Sequence, residues 1–179
     1  MRKPIFIALA CSFFIFGCKS EPTLQKYFVE NTDDQNFIAL DIAPSIMNVE
    51  KQQLTAEQKQ SLEAFEKVNI LAFKLDEKNK AKFEEKRDEV AAILKDEKYQ
   101  ELMKVGKGKE VASVSFVGDE NNIDEFILFA NKKDMGFAVV RVLGNDMNPT
   151  DILNLMSVLQ KSNVDMNQLK PLQEMFIKP

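Results

Sequence analysis

The sequence predicts an α+β fold: one small domain with a mostly antiparallel sheet and helices packed on one of its faces, behind a cleaved export signal. Three observations lead there. The first 17 residues read as a leader rather than as part of a core. The chain after it shows helical and strand periodicities in turn, then three consecutive strand-like segments joined by turn-rich loops. Its length of 179 residues, without repeat or low-complexity tract, suits a single core.

The leader opens with Arg2 and Lys3 and continues from Pro4 to Gly17 without a charge. The apolar run is about 14 residues, short of the roughly 20 that a spanning helix needs. It ends Ile15-Phe16-Gly17-Cys18, which resembles the lipobox of bacterial lipoproteins. A thiol is the nucleophile that takes a diacylglyceryl group as a thioether, and a small residue such as Gly17 lets the peptidase reach the bond. Phe16 departs from the small residue usual at its position. The reading is a signal peptide over residues 1–17, cleavage between Gly17 and Cys18, lipidation at Cys18, a tether over 18–22 and a domain over 23–179. Several acyl chains, at about 0.8 kcal/mol per buried methylene, would hold such a protein at a membrane.

Composition narrows what the domain does. The chain carries 24 Lys+Arg and 28 Asp+Glu, and loss of Arg2 and Lys3 with the leader leaves 22 against 28. An acidic balance argues against nucleic acid, which demands clustered bases. Of the two cysteines, Cys11 leaves with the leader and Cys18 takes the lipid, so no disulfide is expected. No histidine is present, which removes the commonest general base and metal ligand.

The elements follow in order. Thr23–Asn31 places Leu24, Tyr27 and Phe28 on one helical face. Asn31–Asn36 is a loop by its turn residues, and Phe37–Ile42 a strand. Thr55-Ala56-Glu57-Gln58 forms a capping box that opens a helix to about Val68, with Leu62, Phe65 and Val68 inward. Asn69–Leu75 is a strand. A charged helix covers about Glu77–Leu94, where Phe83, Val90 and Leu94 form an apolar stripe flanked by Arg87. Tyr99–Val105 reads equally as a helical end or a strand, and Gly106–Lys109 as a turn. Val111–Val117, Glu125–Ala130 and Phe137–Val142 are strands. In the first, Val114 and Phe116 alternate with Ser113 and Ser115, as in a sheet with one wet face. Asn148 caps a helix with Pro149 in its first turn, ending near Asn163. Val164–Lys178 reads as a last short helix that Pro171 breaks or restarts. Met147, Met156, Met166 and Met175 are expected to fill core gaps.

Several segments together resemble a known family. They are Thr23–Phe28, Leu54–Gln58, Ala92–Lys95, Tyr99–Met103 and, most specifically, Gly136–Pro149, which contains Arg141-Val142-Leu143-Gly144-Asn145-Asp146-Met147-Asn148-Pro149. They look like the envelope lipoproteins of Bacteroidota grouped as domain-of-unknown-function family 4252. The resemblance implies a Gram-negative envelope lipoprotein of about this size, with no established activity and no catalytic residue. Neighbouring sigma-factor genes in that family would link it to stress or signalling.

Candidate sites are few. Gly118–Glu125 is acidic, but Ile123 and Asp124 fall where an EF-hand needs a ligand and a glycine, so a solvated hairpin loop is the expectation. Gly106-Lys107-Gly108-Lys109 lacks Walker spacing and reads as a flexible turn. Asp41 and Arg141 stand out as charges among apolar neighbours. Either they form a buried pair or, more simply, they lie on a solvent face. Ser113 and Ser115 have no histidine to activate them, which leaves a Ser-Lys dyad with Lys107 or Lys109 as the enzymatic alternative. The expected function is therefore a non-enzymatic binding or interaction module in the cell envelope. It would be held by lipid on Cys18, on the outer membrane, without metal or cofactor and with an envelope protein as its partner. The alternatives are a stress-response or signalling accessory, and a hydrolase using carboxylates or Ser-Lys.

Overall fold

A computed structural model describes residues 22–47, 54–108 and 110–161. Helix α1 (Leu24–Asn31) leads into β1 (Phe37–Ile42) and a 3-10 turn at Pro44–Met47. Helix α2 (Ala56–Ala64) precedes β2 (Phe65–Lys74), and α3 (Lys80–Ile93) follows. Then come β3 (Gln100–Lys107), β4 (Glu110–Asp119), β5 (Asn122–Lys132), β6 (Gly136–Met147) and α4 (Pro149–Lys161). The six strands form one sheet in the order β1-β2-β6-β5-β4-β3, with every neighbouring pair antiparallel. The α+β class, the single small domain and the antiparallel sheet agree with the sequence reading.

Helices cover both faces of the sheet, not the one face that the sequence suggested. Successive side chains of a strand point to opposite faces, and the register sorts them. Phe37, Phe73 and Phe137 lie side by side across β1, β2 and β6, and so do Ala39, Leu71 and Val139, with Phe129 of β5 beside Val139. This face packs against Leu24, Tyr27 and Phe28 of α1 and Phe83, Val90 and Ile93 of α3 in one apolar cluster. The alternate residues Phe116, Phe126 and Val142 pack against Leu155 and Val158 of α4 in a second cluster, with Leu62 of α2 at its margin. The strands are apolar on both sides, so each face needs cover. The wet face expected from Ser113 and Ser115 is accordingly absent: Ser115 is buried on the α1/α3 side.

Local chemistry explains the helix ends. Thr23 Oγ1 accepts from the Lys26 backbone N–H at 3.2 Å, and the Leu24 N–H donates to the Tyr99 hydroxyl at 3.1 Å. Two orphan donors of α1 are thus met, one of them from 75 residues away. The capping box on α2 forms as read, with Thr55 Oγ1 accepting from Gln58 and Gln58 Oε1 accepting from Thr55. At α4, Asn148 Oδ1 accepts from the Thr150 N–H while Asp151 accepts from the Asn148 N–H at 2.7 Å. The second Asp151 oxygen takes the Ser61 hydroxyl at 2.6 Å, which ties α4 to α2.

Other sequence readings need correction. The helix opened by Thr55 ends at Ala64, and residues 65–68 already belong to β2. Phe65 is extended and pairs with Gly144 across to β6. A Cβ on Gly144 would meet the Ala64 carbonyl oxygen at 2.2 Å, so the glycine admits this abrupt change from helix to strand. The segment that read as either helix or strand is β3. Met147 is buried, but Met156 is 51% exposed and fills no gap. The predicted last helix, Met166 and Met175 lie outside the described residues, as do Gly17, Cys18 and Lys109.

Candidate functional site

The two charges singled out by sequence share one line across the sheet. Asp41 lies opposite Asn69 on β2, and Asn69 lies opposite Arg141 on β6, all on the α1/α3 face. They do not pair with each other. Arg141 reaches diagonally to Glu125 on β5, with Nε to Oε1 at 2.6 Å and Nη2 to Oε2 at 3.1 Å. This is a two-pronged ion pair with both side chains at most 13% exposed. Ile127 stands opposite Arg141 and Glu125 two residues further along β5 on the same face, which sets that diagonal. The Arg141 guanidinium carbon also lies 5.4 Å from the centre of the Phe28 ring, so α1 covers the cation with an aromatic face. The Asn69 amide donates to Asp41. The solvent-face reading therefore holds for Asp41, which is exposed, and fails for Arg141, which is buried at 7% exposure.

A small cleft of about 260 Å³ opens beside this line, bounded by Phe28, Val29, Thr32, Asp41, Lys67 and Arg141. Two of its charged groups are already engaged, Arg141 by Glu125 and Asp41 by Asn69. Such a set holds α1 to the sheet more readily than it turns over a substrate.

Ser113 and Ser115 face a groove of about 360 Å³ between α3 and the β3–β4 hairpin, with Arg87, Lys95 and Lys104 along it. Lys104, not Lys107, stands opposite Ser113 across β3 and β4, whereas Lys107 stands opposite Glu110 at the turn. Arg87 is bound by Asp88 at 2.7 Å, and Lys104 lies 3.6 Å from Glu101. Neither serine hydroxyl is hydrogen-bonded to a lysine among the described residues.

The acidic segment forms a β-hairpin, with β4 ending at Asp119 and β5 starting at Asn122. Among the described residues no group of three or more metal-ligating side chains comes together. The Gly106–Gly108 segment is the β3–β4 turn, with positive φ at both glycines.

One mostly apolar concavity was missed by sequence reading. A cleft of about 510 Å³ lies at the end of the sheet where the β3–β4 and β5–β6 hairpins turn. Val105, Ala112, Ala130, Met135, Phe137 and Ala138 line it, with Glu110 and Lys132 its charged residues among those described. Ala112, Ala130 and Ala138 lie side by side across β4, β5 and β6. Methyl groups there leave room that leucines would fill. The signal was present in the sequence as one alanine in each of three strands, but only the register aligns them.

Residues 27–155, more than half of the chain, match the model of a family described as Domain of unknown function (DUF4252). The chain belongs to this family. No curated protein and no solved structure matches it. The DUF4252 match runs from the middle of α1 into α4. It thus contains all six strands, the Arg141–Glu125 pair and the apolar cleft.

Proposed function

We propose that this DUF4252 chain is a lipid-anchored protein of the cell envelope, held to the outer membrane through Cys18, whose domain binds an apolar segment of an envelope partner protein without catalysing a reaction. The observation that carries the binding reading is the cleft walled by Ala112, Ala130 and Ala138. It is concave, mostly apolar and open, as ligand-binding sites commonly are. Buried Arg141 is neutralised by Glu125, and buried Asp151 is held by the Ser61 hydroxyl and the Asn148 N–H, which speaks for structure rather than turnover. The anchor rests on the sequence of residues 2–18, and no helix among the described residues is long and apolar enough to cross a membrane.

Two experiments test this reading. A photo-crosslinking residue at Ala130 in the full chain, expressed in cells, should capture one dominant partner, identified by mass spectrometry. Ala112→Phe should abolish that capture while leaving the melting temperature within a few degrees. Capture that survives a filled cleft would sink the binding site. For the anchor, Cys18→Ser should lose incorporation of labelled palmitate, and retained label would refute it.

A further inference from the structure

The two edges of the sheet differ. β1 is mostly half-buried. At the other edge, all eight residues of β3 are exposed, including Leu102 at 44%, Met103 at 55% and Val105 at 53%. An unpaired edge with apolar side chains is a template for another strand. Proteins usually blunt such an edge with a bulge and lysines, and β3 has both.

The bulge arranges the charges in an unusual way. Across to β4, Glu101 stands opposite Ser115, Met103 opposite Val114 and Lys104 opposite Ser113. Successive positions on β4 are thus matched by Glu101, Met103 and Lys104, with Leu102 as the extra residue. Glu101 and Lys104 consequently sit one ladder position either side of Met103 and on the same face of the sheet. Gln100 and Val105 sit two positions either side, on Met103's face, since they stand opposite Phe116 and Ala112.

From this symmetry we infer that β3 pairs antiparallel with β3 of a second copy of this chain, about a two-fold axis through Met103. Antiparallel partners directly opposite share a face. Met103 then meets Met103 of the second copy. Lys104 meets the second copy's Glu101, and Glu101 meets its Lys104, so opposite charges face each other twice. Val105 meets Gln100 in the same way. Two six-stranded sheets become one, and the lysine that would repel most partners selects this one. The pairing does not depend on the proposed binding function, because it rests on the β3 edge and its charges and shares only Val105 with the residues named for the cleft.

The test uses the full chain with Met103→Cys, purified in detergent micelles and oxidised. Residues directly opposite in an antiparallel pair lie about 4.5–5.5 Å apart at Cα, within the range a disulfide bridges. A disulfide-linked dimer should form well above the level given by the unsubstituted chain, which carries Cys11 and Cys18. Adding Lys104→Glu should cut the dimer about tenfold by setting like charges opposite each other twice. Adding Glu101→Lys as well should restore it, and melting curves of all variants should coincide because both positions are exposed. Absence of a disulfide-linked dimer from the Met103→Cys chain would overturn the inference. So would a dimer indifferent to the charge reversal, or one not restored by the double swap.

Discussion

The two faces of the sheet are covered differently. On the α1/α3 face, aromatic rings interlock. Phe137 lies within 6.2 Å, centre to centre, of Phe37, Phe73, Phe83 and Phe129, and is 1% exposed. The opposite face has fewer rings, Phe65, Phe116 and Phe126 among mostly aliphatic neighbours. α2 and α4 cover the end carrying Phe116, Phe126 and Val142, while the end carrying Ala112, Ala130 and Ala138 remains a cleft. Large rings fill the space beneath a helix and fix its position. A row of alanines beyond the reach of a helix leaves a concavity. Rings close the centre of one face, and alanines leave an apolar cleft at the end of the other.

Phe137→Ala should be the most damaging change, because it opens a cavity among four rings. A loss of about 3–5 kcal/mol is expected from urea unfolding. Val140→Ala, on the half-buried aliphatic face, should cost less than half as much. Equal costs would erase the contrast between the faces.

Glu125→Ala comes next. It leaves the Arg141 guanidinium buried without its carboxylate, at a loss of about 3 kcal/mol. Asp41→Ala, one exposed residue in the same line, should cost less than about 1 kcal/mol. A Glu125 variant as stable as the parent would show that the pair does not hold α1 to the sheet.

On the aliphatic side, Thr55→Ala removes half of the capping box and should lower stability by about 1 kcal/mol. Thr55→Ser should recover most of it.

The smallest effect is one of pH. The hydrogen bond from Lys82 holds the Asp34 carboxyl well below its ordinary 3.8, at about 2. Since the folded value is the lower one, the contribution is complete above the unfolded value and fades as pH falls from about 4 towards 2. Lys82→Ala should flatten the stability profile in that window, with a small loss of stability at pH 7 that vanishes near pH 2. Tyr27 lies on the same face, and its phenol is pushed far up by burial first and by Glu89 and Asp34 after it. It stays protonated and donates to the Lys86 carbonyl at 3.0 Å.

The α+β class, five of the six strands, the capping residues Thr55 and Asn148, and the family were legible in the sequence. Those features rest on periodicities of two or 3.6 residues and on side chains that bond within three residues of themselves. The tertiary structure alone decided that helices cover both faces, because apolar residues in a strand do not state which layer will meet them. It also ended α2 at Ala64, where pairing of Phe65 with Gly144 overrides helix propensity. Segment 99–105 was ambiguous because strand identity there comes from β4, not from its own pattern. Arg141 found Glu125, not Asp41, since the β5–β6 register sets Glu125 on its diagonal while Asn69 of β2 stands between Arg141 and Asp41. The cleft and the charge symmetry of β3 share this origin. Each depends on which residues of distant strands stand opposite one another, and register is set by packing that no local stretch of sequence contains.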